Sequence, residues 1–499
     1  MGRGPGGPVV IEIERKYEVE PDFVVPPLDR PGRSAADAPP VALTATYYDT
    51  PDLRLARART TLRRRTGGAD AGWHLKVPLG GEREEIQLPL GTARTVPSAL
   101  SQLVLAHTRG ARLLAVARLQ TTRTTRTVSA ADGTPLVEVA DDHVRAQRLG
   151  PGAGAEVVQW REVEAELLAG APPEALAAVV ELLTEAGARP ARSSSKLAQV
   201  LGDAVPAGPE VPEPRTAIGP REPAGEAVTA YLRLQVRTLM ALDPSLRRGS
   251  EGAAAALAQA ATRLTSVLRV FGGLLDPGSV AAVRPGLGWL DGLLSVAHIR
   301  QVACDRLREE LDALPRELLL GTRPPDLAGA TTDPVGRALR SRRYVALLDR
   351  LVALATAPPL TSLAETRARH VLPALVRQHW DRLDRRVSRA LAAPTDRELR
   401  RCAEAAGWLQ AAAQAAVPIF GEDAAALADR AAAIGAVLAR HESSAAARAV
   451  LLRVARAQPQ GFACGVLYAA EADRARRALD DLAEGWQQAR RKRYRRWLG

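Results

Sequence analysis

Alternating apolar and polar residues characterise the first 200 positions of the chain. Seven segments show this pattern, at residues 9–19, 58–65, 73–77, 84–88, 117–128, 136–144 and 157–167. A period of two is typical of β-strands that bury one face. Glycine-rich turns separate several of these segments, and helical patterns at 97–107 and 172–186 interrupt them. The pattern predicts a β-rich domain over residues 1–202.

The remainder of the chain is patterned differently. Residues 203–224 contain six prolines and few apolar residues, which indicates a linker. From residue 225 to residue 499, apolar positions recur at helical spacing, and short Pro/Gly segments interrupt them. We therefore expect an all-α domain over 225–499, built as an antiparallel array of about eight to ten helices.

Charged residues share one face of several predicted strands. Glu12, Glu14 and Lys16 alternate, so all three point to the same side of a strand. The same spacing relates Arg63 and Arg65; Arg83, Glu85 and Gln87; Glu138, Ala140 and Asp142; and Glu162, Glu164 and Glu166. If these faces point outward, the strands form an ordinary barrel; if they point inward, they line a charged tunnel. Three glutamates on one strand face repel one another unless a cation lies between them, and a divalent metal is a usual solution.

Composition limits the classes of protein to consider. Hydrophobic residues make up 46% and charged residues 25% of the 499 positions, which is typical of a folded chain. No apolar run approaches the roughly 20 residues of a membrane span, and the N-terminus lacks the apolar segment of a signal peptide, so we expect a cytoplasmic protein. The three cysteines have no CxxC spacing, which argues against a disulfide framework and a zinc site.

Lysine is informative because it is rare. The net charge of +12 rests on 68 basic residues, of which only Lys16, Lys76, Lys196 and Lys492 are lysines. The arginine excess, together with abundant alanine, leucine and glycine, has the character of a coding bias. Aromatic residues at 4% leave few rings to stack on bases, which argues against nucleic-acid binding. Three of the four lysines lie in the first 200 residues, each beside the charged strand patterns.

This mixture of charges indicates a type of ligand. Clustered carboxylates bind hard cations such as Mg²⁺ or Mn²⁺ through oxygen. Clustered arginines and lysines bind phosphate oxygens. Both kinds of group in one cavity fit a triphosphate carried with its metal, with a metal-activated or carboxylate-oriented water attacking the terminal phosphorus.

Several motifs carry a resemblance to a known family. The segment I-E-I-E-R-K-Y-E-V at 11–19 resembles the N-terminal signature of the CYTH superfamily, the triphosphate tunnel enzymes. Further blocks resemble that family in the same order: Y-Y-D-T-P-D-L-R-L (47–55), L-R-R-R (62–65), W-H-L-K (73–76), R-E-E-I-Q-L-P-L (83–90), V-E-V-A-D-D-H-V (137–144), W-R-E-V-E-A-E-L (160–167) and S-S-K-L-A (194–198). The resemblance implies an antiparallel eight-stranded tunnel barrel in an α+β domain. Activities in the family include inorganic, thiamine and RNA triphosphatases and adenylate cyclase.

The resemblance also implies a role for each matching residue. The implied metal ligands are Glu12, Glu14, Asp142, Glu162, Glu164 and Glu166, with Asp141 in place of Asp142 if the strand has the other phase. The implied triphosphate-binding residues are Lys16, Arg63, Arg65, Arg83, Arg123 and Lys196. The implied catalytic residues are Lys76, a candidate to orient or deprotonate the water, and Glu85. The strand at 119–126 offers Arg123 where the family usually brings two cations, so triphosphate binding is expected to be weaker.

The helical part resembles CHAD, a helical domain associated with polyphosphate binding. The resemblance lies in L-T-S-V-L-R-V-F-G-G-L-L-D-P (264–277), S-R-R-Y-V-A-L-L-D-R-L (341–351), V-L-P-A-L-V-R-Q-H-W-D-R-L (371–383) and V-P-I-F-G (417–421). Many of the family's cationic positions are lost, because Ala255, Ala258 and Thr262 stand on its first long helix. We therefore expect a degenerate CHAD domain with weak polyphosphate binding. The basic tail at 490–497 is either a solvated last helical turn or a contact with polyphosphate, nucleic acid or an acidic protein.

The sequence as a whole predicts a CYTH–CHAD enzyme. The leading hypothesis is metal-dependent hydrolysis of inorganic triphosphate to diphosphate and phosphate, with Mg²⁺ or Mn²⁺ as cofactor. One alternative is an adenylate cyclase or another organic triphosphatase, which needs a pocket for the organic group. The other alternative is a polyphosphate-binding scaffold without turnover, which gains nothing from glutamates beside its ligand. Neither a membrane nor a nucleic acid is an expected partner.

Overall fold

The structure is a computed structural model, which describes residues 9–30, 32–79, 82–92, 94–150, 157–193, 195–319, 333–457 and 462–499. The chain divides into two compact units, Met1–Glu210 and Val211–Gly499. The first unit contains the β-sheet and the second is helical, in agreement with the fold class expected from the sequence.

The described part of the first unit contains ten strands. They are β1 (Val9–Glu18), β2 (Arg33–Asp37), β3 (Val41–Asp49), β4 (Thr61–Thr66), β5 (Gly72–Leu79), β6 (Glu82–Pro89), β7 (Leu114–Ala130), β8 (Pro135–Arg148), β9 (Val157–Leu167) and β10 (Arg189–Pro190). Eight of them pair in the order β1-β6-β5-β4-β3-β7-β8-β9, and β9 pairs again with β1. Every pairing is antiparallel, so these eight strands close into a barrel. The short strands β2 and β10 add to β7 and β1.

The apolar faces of the barrel point outward and are covered by helices. The helices of this unit are α1 (Arg54–Arg57), α2 (Ser98–Leu103), α3 (Leu105–Thr108), α4 (Pro173–Glu185) and α5 (Lys196–Leu201). On one side, Val137, Val139 and Val163 pack with Val179 and Leu183 of α4. On another side, strand residues Leu62, Leu75 and Ile86 pack with Leu100 and Leu103 of α2. Because side chains alternate across a strand, the charged faces point into the barrel. The inward alternative of the sequence analysis is therefore the one found.

One end of the barrel interior is filled by α5. Ser195 caps this helix, since its hydroxyl accepts a hydrogen bond of 3.1 Å from the backbone N–H of Ala198. Leu197 and Leu201 pack on inward-facing residues of the barrel wall, including Leu119 and Val144. The first residue of the helix, Lys196, therefore lies where the apolar plug meets the charged interior.

Most strands lie where the alternation predicted them, with ends shifted by a few residues. The segment predicted at 58–65 begins as a strand only at Thr61, because the preceding residues end α1 and Arg59 has a left-handed φ of 56°. Strand β3 was missing from the prediction. Its burial alternates from residue 43 onward, but the sequence V-A-L-T-A-T-Y-Y-D places alanine, threonine and tyrosine side by side, and these differ too little in polarity to show a period.

The described part of the second unit contains eight α-helices. They are α6 (Ala224–Arg247), α7 (Ala253–Val270), α8 (Pro277–Ala313), α9 (Pro334–Leu339), α10 (Arg342–Thr356), α11 (Ala368–Ala392), α12 (Asp396–Ala457) and α13 (Phe462–Ala489). Helix α12 is bent at Gly421, whose φ of 56° and ψ of −132° are not helical. Pro418 stands one turn earlier and lacks the backbone N–H that would continue the hydrogen-bond ladder.

The proline-rich segment 203–224 is fastened to both units. Glu210, the last residue of the first unit, forms an ion pair with Arg109 of that unit. Val211, the first residue of the second unit, accepts a hydrogen bond of 2.9 Å through its carbonyl from Arg237 of α6. The predicted boundaries of 1–202 and 225–499 stay predictions. No described helix is both long enough and apolar enough to cross a membrane.

Candidate functional site

The barrel encloses a charged cavity of about 210 Å³. Among the residues that the structure describes, seven cations and six carboxylates line it. The cations are Lys16, Arg63, Arg65, Lys76, Arg83, Arg123 and Lys196. The carboxylates are Glu14, Asp70, Glu85, Glu138, Glu164 and Glu166. Tyr47, Thr61, Gln87 and Ser195 complete the lining.

The strand register brings these side chains together from distant parts of the chain. Lys16 of β1 lies opposite Glu164 of β9, and Glu14 lies opposite Glu166. On the other side of β9, Glu166 lies opposite Glu138 of β8. Directly opposed side chains of an antiparallel pair lie within reach of each other. Glu14, Glu166 and Glu138 therefore form one row across three strands, which we call the acidic row.

Three buried carboxylates next to this row are held by cations. The Nζ of Lys196 lies 2.9 Å from Asp142, 2.6 Å from Glu162 and 2.8 Å from Glu164. Arg123 donates two hydrogen bonds to Asp142, of 2.7 and 2.6 Å, and one of 2.8 Å to Glu164. Asp142, Glu162 and Glu164 offer oxygens within 4.8 Å of one another, so the cluster also has the composition of a metal site. In this structure, lysine and arginine provide the positive charge at this cluster.

The pKa shifts of this cluster follow from burial and partners. Burial raises the pKa of Asp142, but Lys196 and Arg123 outweigh burial and lower it. For Glu164, burial is outweighed by Lys16, Lys196 and Arg123, which hold its pKa well below the ordinary value. Burial raises the pKa of Glu162 despite Lys196. Burial alone lowers the pKa of Lys196, but the three carboxylates raise it. The cluster is therefore a network of charges that stabilise one another.

The acidic row also faces cations. Lys16 lies 3.3 Å from Glu14, Lys76 acts electrostatically on Glu166, and Glu138 acts on Arg123. Burial raises the pKa of Glu166; Lys76 opposes the shift, and Glu14, Glu138 and Glu164 add to it. The carboxylates of the row offer the oxygen ligands that a hard divalent cation prefers, and the oxygens of the neighbouring Asp142, Glu162 and Glu164 lie within 4.8 Å of one another. The residues present therefore fit the metal that the CYTH resemblance implies.

A second network organises the opposite wall. Arg63 donates a hydrogen bond of 3.3 Å to the hydroxyl of Tyr47 and lies 3.9 Å from Glu85. Buried His74 contacts Glu85 through Nδ1 at 2.7 Å, and Gln87 donates to the other oxygen of Glu85 at 3.2 Å. Burial raises the pKa of Tyr47, but Arg63 outweighs burial and lowers it. Glu85 is thus held in place by its neighbours on β5 and β6.

The remaining predicted residues are placed as follows. Lys76 and Arg83 line the cavity, and Lys76 pairs in register with Glu85. Of the two aspartates left open by the sequence, Asp142 points into the barrel, whereas Asp141 binds Arg161, at 2.7 Å. Glu12 lies opposite Arg83 in the backbone register, but its side chain is outside the described residues. Asp142 and Glu162 lie buried next to the cavity, where both contact Lys196. All other predicted site residues line the cavity.

Several residues of the cavity were missed by sequence reasoning. Asp70 lies in the turn between β4 and β5, where no periodicity applies. Tyr47 belongs to the strand that the alternation did not reveal. His74, which contacts the lining residue Glu85, is the second residue of W-H-L-K; Lys76 lies two residues later on the same face, and that spacing was a usable signal. Glu138 was recognised as part of an alternating face but was not assigned a role.

In the helical unit, a lost cationic position, a tryptophan and the basic tail each make contacts within the unit. Thr262 donates a hydrogen bond of 2.6 Å to Asp291, so this lost cationic position now belongs to a hydroxyl–carboxylate contact. Trp408 is flanked by the guanidinium groups of Arg269 and Arg382, at 5.1 and 5.4 Å from its ring centre. In the basic tail, Trp497 packs on Phe420 with ring centres 4.7 Å apart. The tail is therefore packed on its own domain rather than fully solvated.

Solved structures resemble parts of the chain. PptA from Streptomyces chartreusis is 25% identical with a TM-score of 0.42, over 53% of this chain and 99% of that one. The CHAD domain from the plant Ricinus communis is 21% identical with a TM-score of 0.41, over 55% of this chain and 96% of that one. HpAC1 from Hippeastrum, a putative adenylyl cyclase with a dominant triphosphatase activity, is 17% identical with a TM-score of 0.24, over 38% of this chain and 94% of that one.

Sequence comparison identifies both domains. The CYTH domain matches residues 10–199 and the CHAD domain matches residues 230–452. The uncharacterized proteins MT2285 and Rv2226, from two strains of Mycobacterium tuberculosis, are each 37% identical over 368 residues, 69% of this chain and 70% of theirs. CYTH domains form the family of triphosphate tunnel enzymes, which depend on a metal ion. The chain therefore belongs to the family of proteins that join a CYTH domain to a CHAD domain.

Proposed function

We propose that the CYTH domain hydrolyses inorganic triphosphate to diphosphate and phosphate with the help of a divalent metal ion. The observation that carries this proposal is the lining of the cavity. Every described residue that lines it is charged or polar, and Tyr47 is the one aromatic ring among them. Pockets for organic ligands are mostly apolar and have volumes of about 300 to 1,000 Å³. A polar cavity of about 210 Å³ suits a small inorganic polyanion better than a nucleotide or thiamine compound.

Cations from several strands face the cavity in which the phosphate groups would lie. Arg63, Arg65, Arg83 and Lys76 lie on β4, β5 and β6, and Arg123 and Lys196 reach the cavity from β7 and α5. Guanidinium groups bind phosphate oxygens in a bidentate manner, which fixes orientation as well as position. A triphosphate held between these walls has its terminal phosphorus fixed relative to the protein, and such positioning supplies much of the catalysis of phosphoryl transfer.

A metal requirement follows from the balance of charge. The cations lining the cavity exceed the carboxylates by one, and two further carboxylates, Asp142 and Glu162, lie buried inside the barrel next to this lining. The protein alone therefore does not neutralise the several negative charges of a triphosphate. We assign the metal to the acidic row of Glu14, Glu138 and Glu166. Mg²⁺ or Mn²⁺ bound there would neutralise phosphate oxygens and polarise the bond to the terminal phosphorus.

We assign the attacking water to the wall that carries Lys76 and Glu85. These residues are direct cross-strand neighbours on β5 and β6, so both can reach one bound water or one terminal phosphate oxygen. Glu85 is fixed by His74 and Gln87, which is the arrangement expected of a group that must keep one orientation. Lys76 orients the water or the leaving oxygen through its ammonium group. The degenerate CHAD domain is assigned an accessory part, with weak polyphosphate binding at most.

The test is phosphate release by the purified full chain. Inorganic triphosphate, ATP and thiamine triphosphate are each supplied with Mg²⁺, with Mn²⁺ or with EDTA. We expect metal-dependent release that is fastest on inorganic triphosphate. Faster turnover of ATP or thiamine triphosphate would reject the assigned substrate, and formation of cyclic AMP would identify a cyclase. Binding of triphosphate without release would instead indicate a scaffold.

The metal assignment has its own test. Glu166→Gln removes one charge from the acidic row, and we expect the Mg²⁺ concentration for half-maximal rate to rise at least about tenfold, a typical cost of altering a metal site. Glu181→Gln, on the exposed face of α4, is the matched control. An unchanged metal requirement in Glu166→Gln would reject the acidic row as the metal site.

A further inference from the structure

Asp70 forms an ion pair with Arg65, one of the cations that line the cavity. It lies in the turn that joins β4 to β5, and its carboxylate accepts a hydrogen bond from Nη1 of Arg65. The Asp70 side chain is 43% exposed, whereas the Arg65 side chain is 9% exposed. Both residues line the cavity. The contact therefore joins a partly exposed carboxylate to a guanidinium group that is more deeply buried.

Arg65 needs an anion at this position. Burial lowers its pKa, Arg63 and Arg123 lower it further by repulsion, and Asp70 opposes these effects. A guanidinium among other cations is costly unless an anion compensates it. Asp70 provides that compensation within the chain. In the proposed reaction, a phosphate group of the substrate would provide the same compensation more strongly, because it carries more charge and can bind in a bidentate manner.

The main chain of Asp70 is held independently of its carboxylate. Its backbone carbonyl accepts a hydrogen bond of 2.9 Å from Nε2 of His74, and His74 is almost completely buried. The other ring nitrogen of His74 contacts Glu85 at 2.7 Å. The turn is thus anchored to the cavity wall, and the carboxylate can leave Arg65 by rotation of the side chain. Because the carboxylate is half exposed, water can replace Arg65 as its partner at little cost.

We propose that Asp70 is an internal competitor of the substrate: its carboxylate binds Arg65 in the empty cavity and is displaced by a phosphate group of inorganic triphosphate. Asp70 thereby sets the affinity for the substrate without taking part in the chemical step. The identity of the ligand rests on the proposed function, whereas the competition concerns binding alone. Removing the Asp70 charge should therefore strengthen binding, although an Asp–Arg contact is lost.

The test compares affinity and turnover in the full chain. The dissociation constant of inorganic triphosphate is measured by calorimetry in EDTA, and KM and kcat are measured with Mg²⁺. For Asp70→Asn we expect the dissociation constant and KM to fall about threefold, the scale of a half-exposed ion pair, while kcat stays within about twofold. Asp70→Glu should restore the wild-type values. Asp37→Asn, which removes an exposed aspartate that pairs with Arg126 outside the cavity, should change neither constant.

A double-mutant cycle identifies the partner. Arg65→Gln should weaken triphosphate binding, and Asp70→Asn added to Arg65→Gln should bring no further gain, because the contact that it relieves is already absent. An equal gain in both backgrounds, or a dissociation constant that is unchanged or larger in Asp70→Asn, overturns the proposal. If the wild type binds triphosphate but releases no phosphate, the proposed function fails, and the same calorimetric comparison still decides the role of Asp70.

Discussion

The strongest stability prediction concerns Lys196. Its ammonium group lies within 2.9 Å of oxygens from Asp142, Glu162 and Glu164, and its side chain is 10% exposed. Lys196→Met keeps a side chain of similar length but leaves Arg123 to hold Asp142, Arg123 and Lys16 to hold Glu164, and Glu162 without its ion pair. Removing one partner of a buried ion pair costs about 3–5 kcal/mol, since an uncompensated charge stays behind. We expect that loss locally, in β7, β8, β9 and α5.

The pH dependence of this loss has a definite sign. In the wild type, Asp142 and Glu164 have lowered pKa values, so their stabilising contribution is present above the ordinary carboxyl pKa of about 4 and is lost as pH falls further. Removing Lys196 removes a cation that lowers the pKa values of Asp142, Glu164 and Glu162, so all three rise, and Glu162, whose pKa burial already raises, takes up a proton first as the pH falls. The destabilisation by Lys196→Met should therefore be largest at pH 7.5 and smaller near pH 5.

Hydrogen exchange followed by mass spectrometry measures this effect in the full chain. After correction for the intrinsic pH dependence, peptides from β8 and β9 should exchange at least about a hundredfold faster at pH 7.5, since about 1.4 kcal/mol corresponds to a factor of ten. The control is Lys492→Met, at an exposed lysine of the C-terminal tail. Equal exchange in Lys196→Met and the wild type, or a loss that grows as the pH is lowered, would refute the reasoning.

Two further predictions concern single side chains. Gly67 has a φ of 84°, and a Cβ there would lie 2.1 Å from the carbonyl oxygen of Ala42. The control is Gly110, which has a φ of 80° and space for a Cβ, since nothing lies within 4 Å. Gly67→Ala should therefore lower the thermal midpoint of the CYTH domain more than Gly110→Ala, and equal midpoints would contradict the clash. Tyr344 donates a hydrogen bond of 2.9 Å to buried Asp243. Tyr344→Phe should therefore lower the free energy of unfolding of the CHAD domain by about 1.5–3 kcal/mol, measured by denaturant unfolding. A change near zero would show that this hydrogen bond does not stabilise the domain.

The strands and helices were largely predictable because their periodicity is written in local sequence. The strands that were not predicted are β3, which pairs in the middle of the barrel although its residues have no clear polarity pattern, and the short strands β2 and β10. Which way the charged faces point was not predictable from the pattern alone. That choice depends on the helices α2 and α4, which cover the apolar faces from outside, and such packing between distant segments has no signature within a single strand.

For the site, the residues facing the interior were predictable and their partners were not. The spacing of Glu162, Glu164 and Glu166 indicated a metal, yet the structure divides them. Lys196 neutralises the first two, and it reaches them from a helix that lies about 30 residues further along the chain. Glu166 joins Glu14 from the other end of the domain. Spacing within one strand cannot reveal which charges another segment will neutralise.

The pairing of β1 with β9 has a consequence for the synthesis of the protein. Lys16 and Glu164 are direct neighbours on these paired strands although 148 positions separate them in the chain. While the ribosome is still making β7 and β8, the first strand has emerged with its glutamates and lysine but without the neighbour that closes the barrel. Both edges of the growing sheet remain open during that time, and open edges pair readily with other chains. The edges close only when β9, Val157–Leu167, has been made and pairs with β1, so a fragment that ends before β9 should keep two open sheet edges and aggregate more readily than the full chain.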